Sequence, residues 1–100
     1  MEKRTPQYDL ARIQAGVARL GAAAFTKTAM DGGRRMGLTT VEMLAVIASL
    51  SRRSFYKSMT THTDHRVWQD VYHAATLAKK DAYIKITLRE TAPVIQFKEK

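Results

Sequence analysis

Tyr83, Lys85, Gln96 and Lys98 fall on alternate positions of two segments, 82–88 and 93–98, that are rich in aromatic and β-branched residues. Alternation at period two sets Ala82, Ile84, Ile86 and Leu88 on one side of the first segment and Tyr83, Lys85 and Thr87 on the other. In the second, Ile95 and Phe97 point inward while Gln96 and Lys98 point outward. Two further segments, 55–61 and 66–72, can add Lys57 and Gln69 to that polar face. A phenol, amides and several ammonium groups on a rigid sheet suit the cleavage of RNA by its own 2′-hydroxyl. One group takes the hydroxyl proton, cations meet the charge growing on the phosphate, and a donor protonates the departing 5′ oxygen. Lysines serve as cations, or exchange protons where neighbouring positive charge lowers their pKa. Spacing alone more often produces an ordinary solvated sheet face.

Other constellations carry less. His62, Asp64 and His65 lie close in sequence, but a zinc site needs a distant fourth ligand, and the chain has no cysteine to offer one. We expect no metal and read the trio as a loop between two strands, with His65, beside the second strand, as an RNA contact. Tyr56, Trp68 and Tyr72 can stack on bases, although a tryptophan in a strand is more often core. Asp70 is expected to meet a cross-strand Lys or Arg. Residues 26–50 superficially suggest a helix-turn-helix, but Met43, Leu44, Val46 and Ile47 leave almost nothing able to read bases. No glycine-rich phosphate loop, Ser/His/Asp set or paired-carboxylate signature is present.

The elements that must position these residues follow from periodicity. Leu10, Ile13, Val17 and Leu20 recur at helical spacing within 7–20. A weaker helix, capped by Thr26 or Thr28, runs through Gly32 and Gly33 and ends at Gly37. Thr39 and Glu42 form a capping-box pattern before Val41, Leu44, Ile47, Ala48 and Leu50. The four strand segments come after the helices, and a turn at Arg89, Glu90 and Thr91 pairs the last two as a hairpin. In the first two strands the inward parity is open, since Trp68 and Tyr72 oppose Val67 and Val71. This order predicts an α+β fold in which N-terminal helices pack on one face of a mainly antiparallel, twisted sheet.

One hundred residues make one domain, 1–100, with 45% hydrophobic and 26% charged residues, the balance of a folded protein. The longest apolar run, Met43 to Ala48, is six residues, far below the roughly 18 of a membrane span. The charged start, Met1 to Pro6, does not read as a secretory signal, so a cytoplasmic protein without a membrane partner is expected. Seventeen basic against nine acidic residues give a net charge of +8, which attracts polyanions, nucleic acid foremost. Residues 1–50 hold seven basic and four acidic groups and residues 51–100 hold ten and five, so the second half is the expected contact surface.

In that half, Phe55-Tyr56-Lys57-Ser58-Met59-Thr60-Thr61, Asp64-His65, Trp68-Gln69-Asp70-Val71-Tyr72, Tyr83-x-Lys85 and Phe97-Lys98-Glu99-Lys100 closely resemble the MqsR (motility quorum-sensing regulator) toxins. The opening Met1-Glu2-Lys3-Arg4-Thr5-Pro6 resembles the family start. The resemblance implies a type II toxin-antitoxin toxin: a metal-independent mRNA interferase without cofactor, with a fold similar to RelE and YoeB, favouring GC-containing sites such as GCU. It also implies a zinc- and DNA-binding MqsA-like antitoxin as partner. The family's active-site residues fall on Lys57, Gln69, Tyr83 and Lys98, with Tyr56, His65 and Lys85 expected to contact RNA. A non-catalytic RNA-binding or ribosome-associated module is the alternative. Two stretches depart from the family pattern. Residues 21–35 diverge, and His73 to Lys80 replace what is commonly a Tyr-Arg-Pro stretch and a glycine-containing turn, which implies an altered loop at 73–75.

Overall fold

In the computed structural model, which describes residues 1–100, each helix begins where its start signal lies. The Asp9 side chain accepts a hydrogen bond from the Ala11 amide and caps α1 (Leu10–Leu20), which buries Ile13, Gly16 and Val17. A 3₁₀ turn, Gly21–Ala24, leads to α2 (Lys27–Arg35), where Thr26 accepts from the Ala29 amide at 3.0 Å. Gly37, at φ 84°, ends that segment in the left-handed region that glycine occupies without strain. Thr39 and Glu42 close a reciprocal capping box at 2.8 and 3.1 Å on α3 (Thr40–Ser49). Gln14 then donates to the carbonyls of Ile47, Ala48 and Leu50, satisfying acceptors that the end of α3 leaves open.

The two glycines inside α2 have a packing reason. A Cβ on Gly32 would sit 2.5 Å from the Phe97 carbonyl oxygen, and one on Gly33 would overlap the Met43 sulfur. Helix propensity is lost there so that α2 can lie directly on the sheet's last strand and on α3.

Five antiparallel strands form one sheet in the order β1-β2-β3-β4-β5: β1 (Glu2–Lys3), β2 (Phe55–Thr60), β3 (Trp68–Ala75), β4 (Asp81–Arg89) and β5 (Ala92–Glu99). The helices cover one face. Their buried residues join Tyr72, Ala82, Ile84, Ile86, Ile95 and Phe97, all of one parity, in a single core. The outer edge of β5 is capped by a parallel bridge to Phe25 and by the Thr26 amide donating to the Ile95 carbonyl. The α+β class, the helical layer and the inward parity of the last two strands thus match the expectation.

Several sequence expectations are corrected. The strand expected over 66–72 runs from Trp68 to Ala75, so the segment 73–75 is paired strand and not loop. His73 opposes Tyr83 and Ala74 opposes Ala82, and this ladder outweighs the weak strand propensity of two alanines. The turn lies later, where the Thr76 hydroxyl donates to the Lys80 carbonyl. The two-residue β1 was not foreseen, because no period is legible in two residues. Tyr72 is 2% exposed and belongs to the core, edge-on to Phe55, so it cannot stack on bases. Trp68 is half-buried on the helical side, beneath the Lys3 ammonium at 4.3 Å. Asp70 meets no Lys or Arg. Its buried carboxylate accepts from the amides of Gln7 (2.9 Å) and Tyr8 (2.9 Å) and from the Ser58 hydroxyl (2.7 Å), anchoring the N-terminal segment that carries β1.

Candidate active site on the open face of the sheet

Register decides which side chains share the uncovered face. Lys57, Val71, Lys85 and Gln96 lie opposite one another across β2 to β5. One step along, His73, Tyr83 and Lys98 form a second row, and Gln69 lies two residues from Val71 on the other side. Lys57, Gln69, Tyr83, Lys85 and Lys98 therefore share one face. Val71 is fully buried beneath this layer although it lies outside the helical core.

Tyr56 reaches the face by a different device. Between Phe55 and Lys57 the pairing of β2 with β3 shifts by one residue, a β-bulge at Tyr56. Phe55 keeps to the core side against Tyr72, while Tyr56 and Lys57 both serve the open side. Tyr56 stacks on His73 (4.5 Å between ring centres), and His73 tilts against Tyr83 (5.3 Å). Ammonium groups stand 5.4 Å from the Tyr83 and Tyr56 rings, Lys98 at the first and Lys57 at the second.

The four family positions are not all in one cavity. Tyr83, Lys85, Gln96 and Lys98 line a cleft of about 390 Å³ with Phe97, walled by Thr26, Thr28 and Ala29 at the start of α2. Two lysines and no carboxylate line it. Lys57 and Gln69 lie outside the cleft, on the same face but on β2 and β3. Strands are spaced by roughly 4.8 Å and residues along a strand by roughly 3.4 Å, so the backbones of Lys57 and Lys98, three strands apart and two residues out of line, are separated by roughly 16 Å. His65 sits exposed in the turn between β2 and β3, away from the cleft, and Asp64 beside it is taken by Arg66 (3.1 Å). No three His, Asp or Glu side chains converge as metal ligands.

Two residues on the face went unrecognised in the sequence. Glu2, from β1, places Oε1 2.6 Å from Lys57 Nζ, a side chain only 18% exposed. The bond to Glu2 holds Lys57 above the usual lysine range, and Lys57 in turn holds the Glu2 carboxyl below the usual carboxylate range. His73 is held below 6.5 by burial, with Lys100 adding and Asp81 opposing, and its Nε2 is buried without a partner. Continuing the strand past Tyr72 would have brought His73 into it, on the face opposite Tyr72; its place beside Tyr83 comes from the register of β3 with β4. For Glu2 the one available signal was its presence in the family-like opening.

A family model described as "Motility quorum-sensing regulator, toxin of MqsA" matches residues 5–99. The mRNA interferase toxin MqsR of Escherichia coli (strain K12) is 40% identical over 100 residues, covering all of both chains.

Proposed function

Because the chain belongs to the MqsR toxin family, we propose that its open sheet face is the site of a metal-independent endoribonuclease acting on mRNA. The observation that carries this reading is the cationic cleft in which Tyr83 and Lys98, paired across β4 and β5, meet Lys85 and Gln96, on the same face as Lys57 and Gln69. Lys57 and Lys98 neutralise the charge that grows on the non-bridging phosphate oxygens, where cations are worth most. The Gln69 amide orients the phosphate by hydrogen bonding. The Tyr83 hydroxyl protonates the 5′ oxygen as its bond to phosphorus breaks. Lys85 and the thick aromatic layer of Tyr56 hold the flanking strand, with His65 as an outlying contact. The products are a 2′,3′-cyclic phosphate and a 5′-hydroxyl.

The reaction sites are GC-containing sequences such as GCU, in keeping with the family resemblance, and the fold is of the RelE and YoeB type. In a type II system the toxin is held inactive by its antitoxin, here a protein of the MqsA kind. No helix is long and apolar enough to cross a membrane, and the reading places the toxin in the cytoplasm with its message.

Purified protein incubated with single-stranded RNA in excess chelator should produce cyclic-phosphate ends. Tyr83→Phe and Lys98→Ala should slow cutting about 100-fold or more, the scale of a lost acid or charge stabiliser, and weaken binding far less. Salt-sensitive binding without any cut RNA would instead support the non-catalytic module, since neutralising phosphates produces affinity without turnover.

A further inference from the structure

We propose that Glu2 is the general base of this reaction, the acceptor of the ribose 2′-hydroxyl proton; the assignment rests on the RNA-cleaving reading above. Glu2 opposes Met59 across β1 and β2, which puts its side chain on the face that Lys57 and Gln69 share. It is held there from both sides. The Met1 ammonium donates to the Thr60 hydroxyl at 3.1 Å, the Thr60 amide donates to the Met1 carbonyl at 3.0 Å, and Glu2 Oε1 accepts from Lys57 Nζ at 2.6 Å.

The chemistry has a gap that Glu2 fills. Lys57, bonded to a carboxylate, is an ammonium, and an amide such as Gln69 does not exchange protons at neutral pH. Tyr83 is already the proton donor of that reading and Lys98 one of its cations, so neither is left to take the 2′-hydroxyl proton. The family set therefore supplies cations and a proton donor, but no acceptor. His73 does not fill the gap, since its ring is clamped between Tyr56 and Tyr83 with Nε2 buried. Glu2 is the carboxylate in contact with the set, its other carboxylate oxygen left without a protein partner. The groups facing it are Lys57 on β2, Arg4 just past β1 and the Met1 ammonium, all cationic, so it is ionised at working pH.

Binding alone gives no reason for a carboxylate here. A negative charge beside Lys57 opposes phosphate and lowers RNA affinity. An arriving phosphate competes for the Lys57 ammonium, which loosens its hold on Glu2 and makes the carboxylate more basic. In the step itself the 2′-hydroxyl proton passes to Glu2 as the 2′ oxygen bonds to phosphorus. The bond from phosphorus to the 5′ oxygen breaks with its electron pair, and that oxygen takes the Tyr83 proton. Solvent afterwards returns Tyr83 and Glu2 to their starting forms.

The test compares wild type, E2Q and E2D, each with the native N-terminus, in single-turnover cleavage of a single-stranded RNA across pH 4–8. Affinity is measured on the same sequence with 2′-deoxyribose at the cleavage point. E2Q keeps an oxygen for Lys57 but loses the base: cleavage should fall at least about 100-fold, affinity should hold or tighten, and the acid-side decline of the wild-type rate should vanish. E2D, retaining a carboxylate, should keep that decline and cut faster than E2Q. Cleavage by E2Q within about threefold of wild type overturns the assignment. So does a slow E2Q with the acid-side decline intact, which reduces Glu2 to positioning Lys57. A wild type that leaves RNA uncut rejects the ribonuclease reading itself, whereas an active wild type with an unimpaired E2Q rejects only the base.

Discussion

Removing the Asp70 carboxylate should release the N-terminal segment from the sheet. The side chain is 1% exposed and accepts hydrogen bonds from the Gln7 and Tyr8 amides and the Ser58 hydroxyl. Asp70→Ala strands three donors, each at about 1–3 kcal/mol. Water can reach the exposed Gln7 and the half-buried Tyr8 once the segment loosens, so the low end applies, about 3–4 kcal/mol in all. That is a large share of the 5–15 kcal/mol typical of a domain. Asp70→Asn keeps an acceptor but turns an amide donor toward other donors, and should lose about 2 kcal/mol. Urea unfolding followed by the fluorescence of Trp68, the one tryptophan, reads both. With a slope of about 1–3 kcal/mol per molar, the alanine midpoint should fall by about 2 M. The native fluorescence should change too, since Tyr8 bonds the Trp68 carbonyl and Lys3 covers its ring. An Asp70→Ala protein within about 1 kcal/mol of wild type, with native fluorescence unchanged, would refute the anchoring role.

Four further outcomes are expected. Gly32→Ala should destabilise by about 2 kcal/mol, the scale of overpacking, because the added carbon meets the Phe97 carbonyl at 2.5 Å; a denaturant midpoint measures it. RNA affinity should fall with salt at a log–log slope of about 2 if three lysines, Lys57, Lys85 and Lys98, each neutralise one phosphate, and Lys85→Ala should reduce that slope by about 0.7. Burial pushes the Tyr72 phenol up from 10.0 to about 12. Its folded pKa is the higher one, so the stability it contributes is full below pH 10 and is lost between about pH 10 and 12, and Tyr72→Phe should remove about 2–3 kcal/mol of that decline in the difference between two alkaline titrations. His73 has the opposite sense: its depressed folded pKa means stability that is present above 6.5 and lost as pH falls through the folded value, which NMR titration of its imidazole should locate below 6.5.

The parts of the fold legible in the sequence are those where a local pattern repeats. The Thr39 and Glu42 capping box, the alternation from Ala82 to Leu88 and the turn after Arg89 each depend on neighbours within a few residues, and each stands in the structure. Features set by distant partners were not legible. Val71 and Tyr72 are both buried, on opposite faces, and no local pattern announces a sheet whose open side hides one valine beneath a polar layer. Asp70 was expected to find a cation because sequence shows charges but not the amides of Gln7 and Tyr8 folded back onto it. The site was half legible. Parity put Tyr83, Lys85, Gln96 and Lys98 on one face, and the cleft joins them. Lys57 and Gln69 share the face without lining the cleft, while Glu2 arrives through a two-residue strand 55 positions away from Lys57.

The irregularity at Tyr56 sets what evolution can do with β2. Tyr56 is the one residue between Phe55 and Lys57; deleting it restores strict alternation and leaves Phe55 in its seat against Tyr72, but strips His73 of its stacking partner. Substitutions in this strand are graded in effect, whereas a change of length is all or none. The turn after Ala75 has no such constraint, since no residue of 76–80 helps decide which way Tyr56 or Lys57 points. Insertions and deletions among relatives should therefore collect in that turn and spare the strand from Phe55 to Thr60.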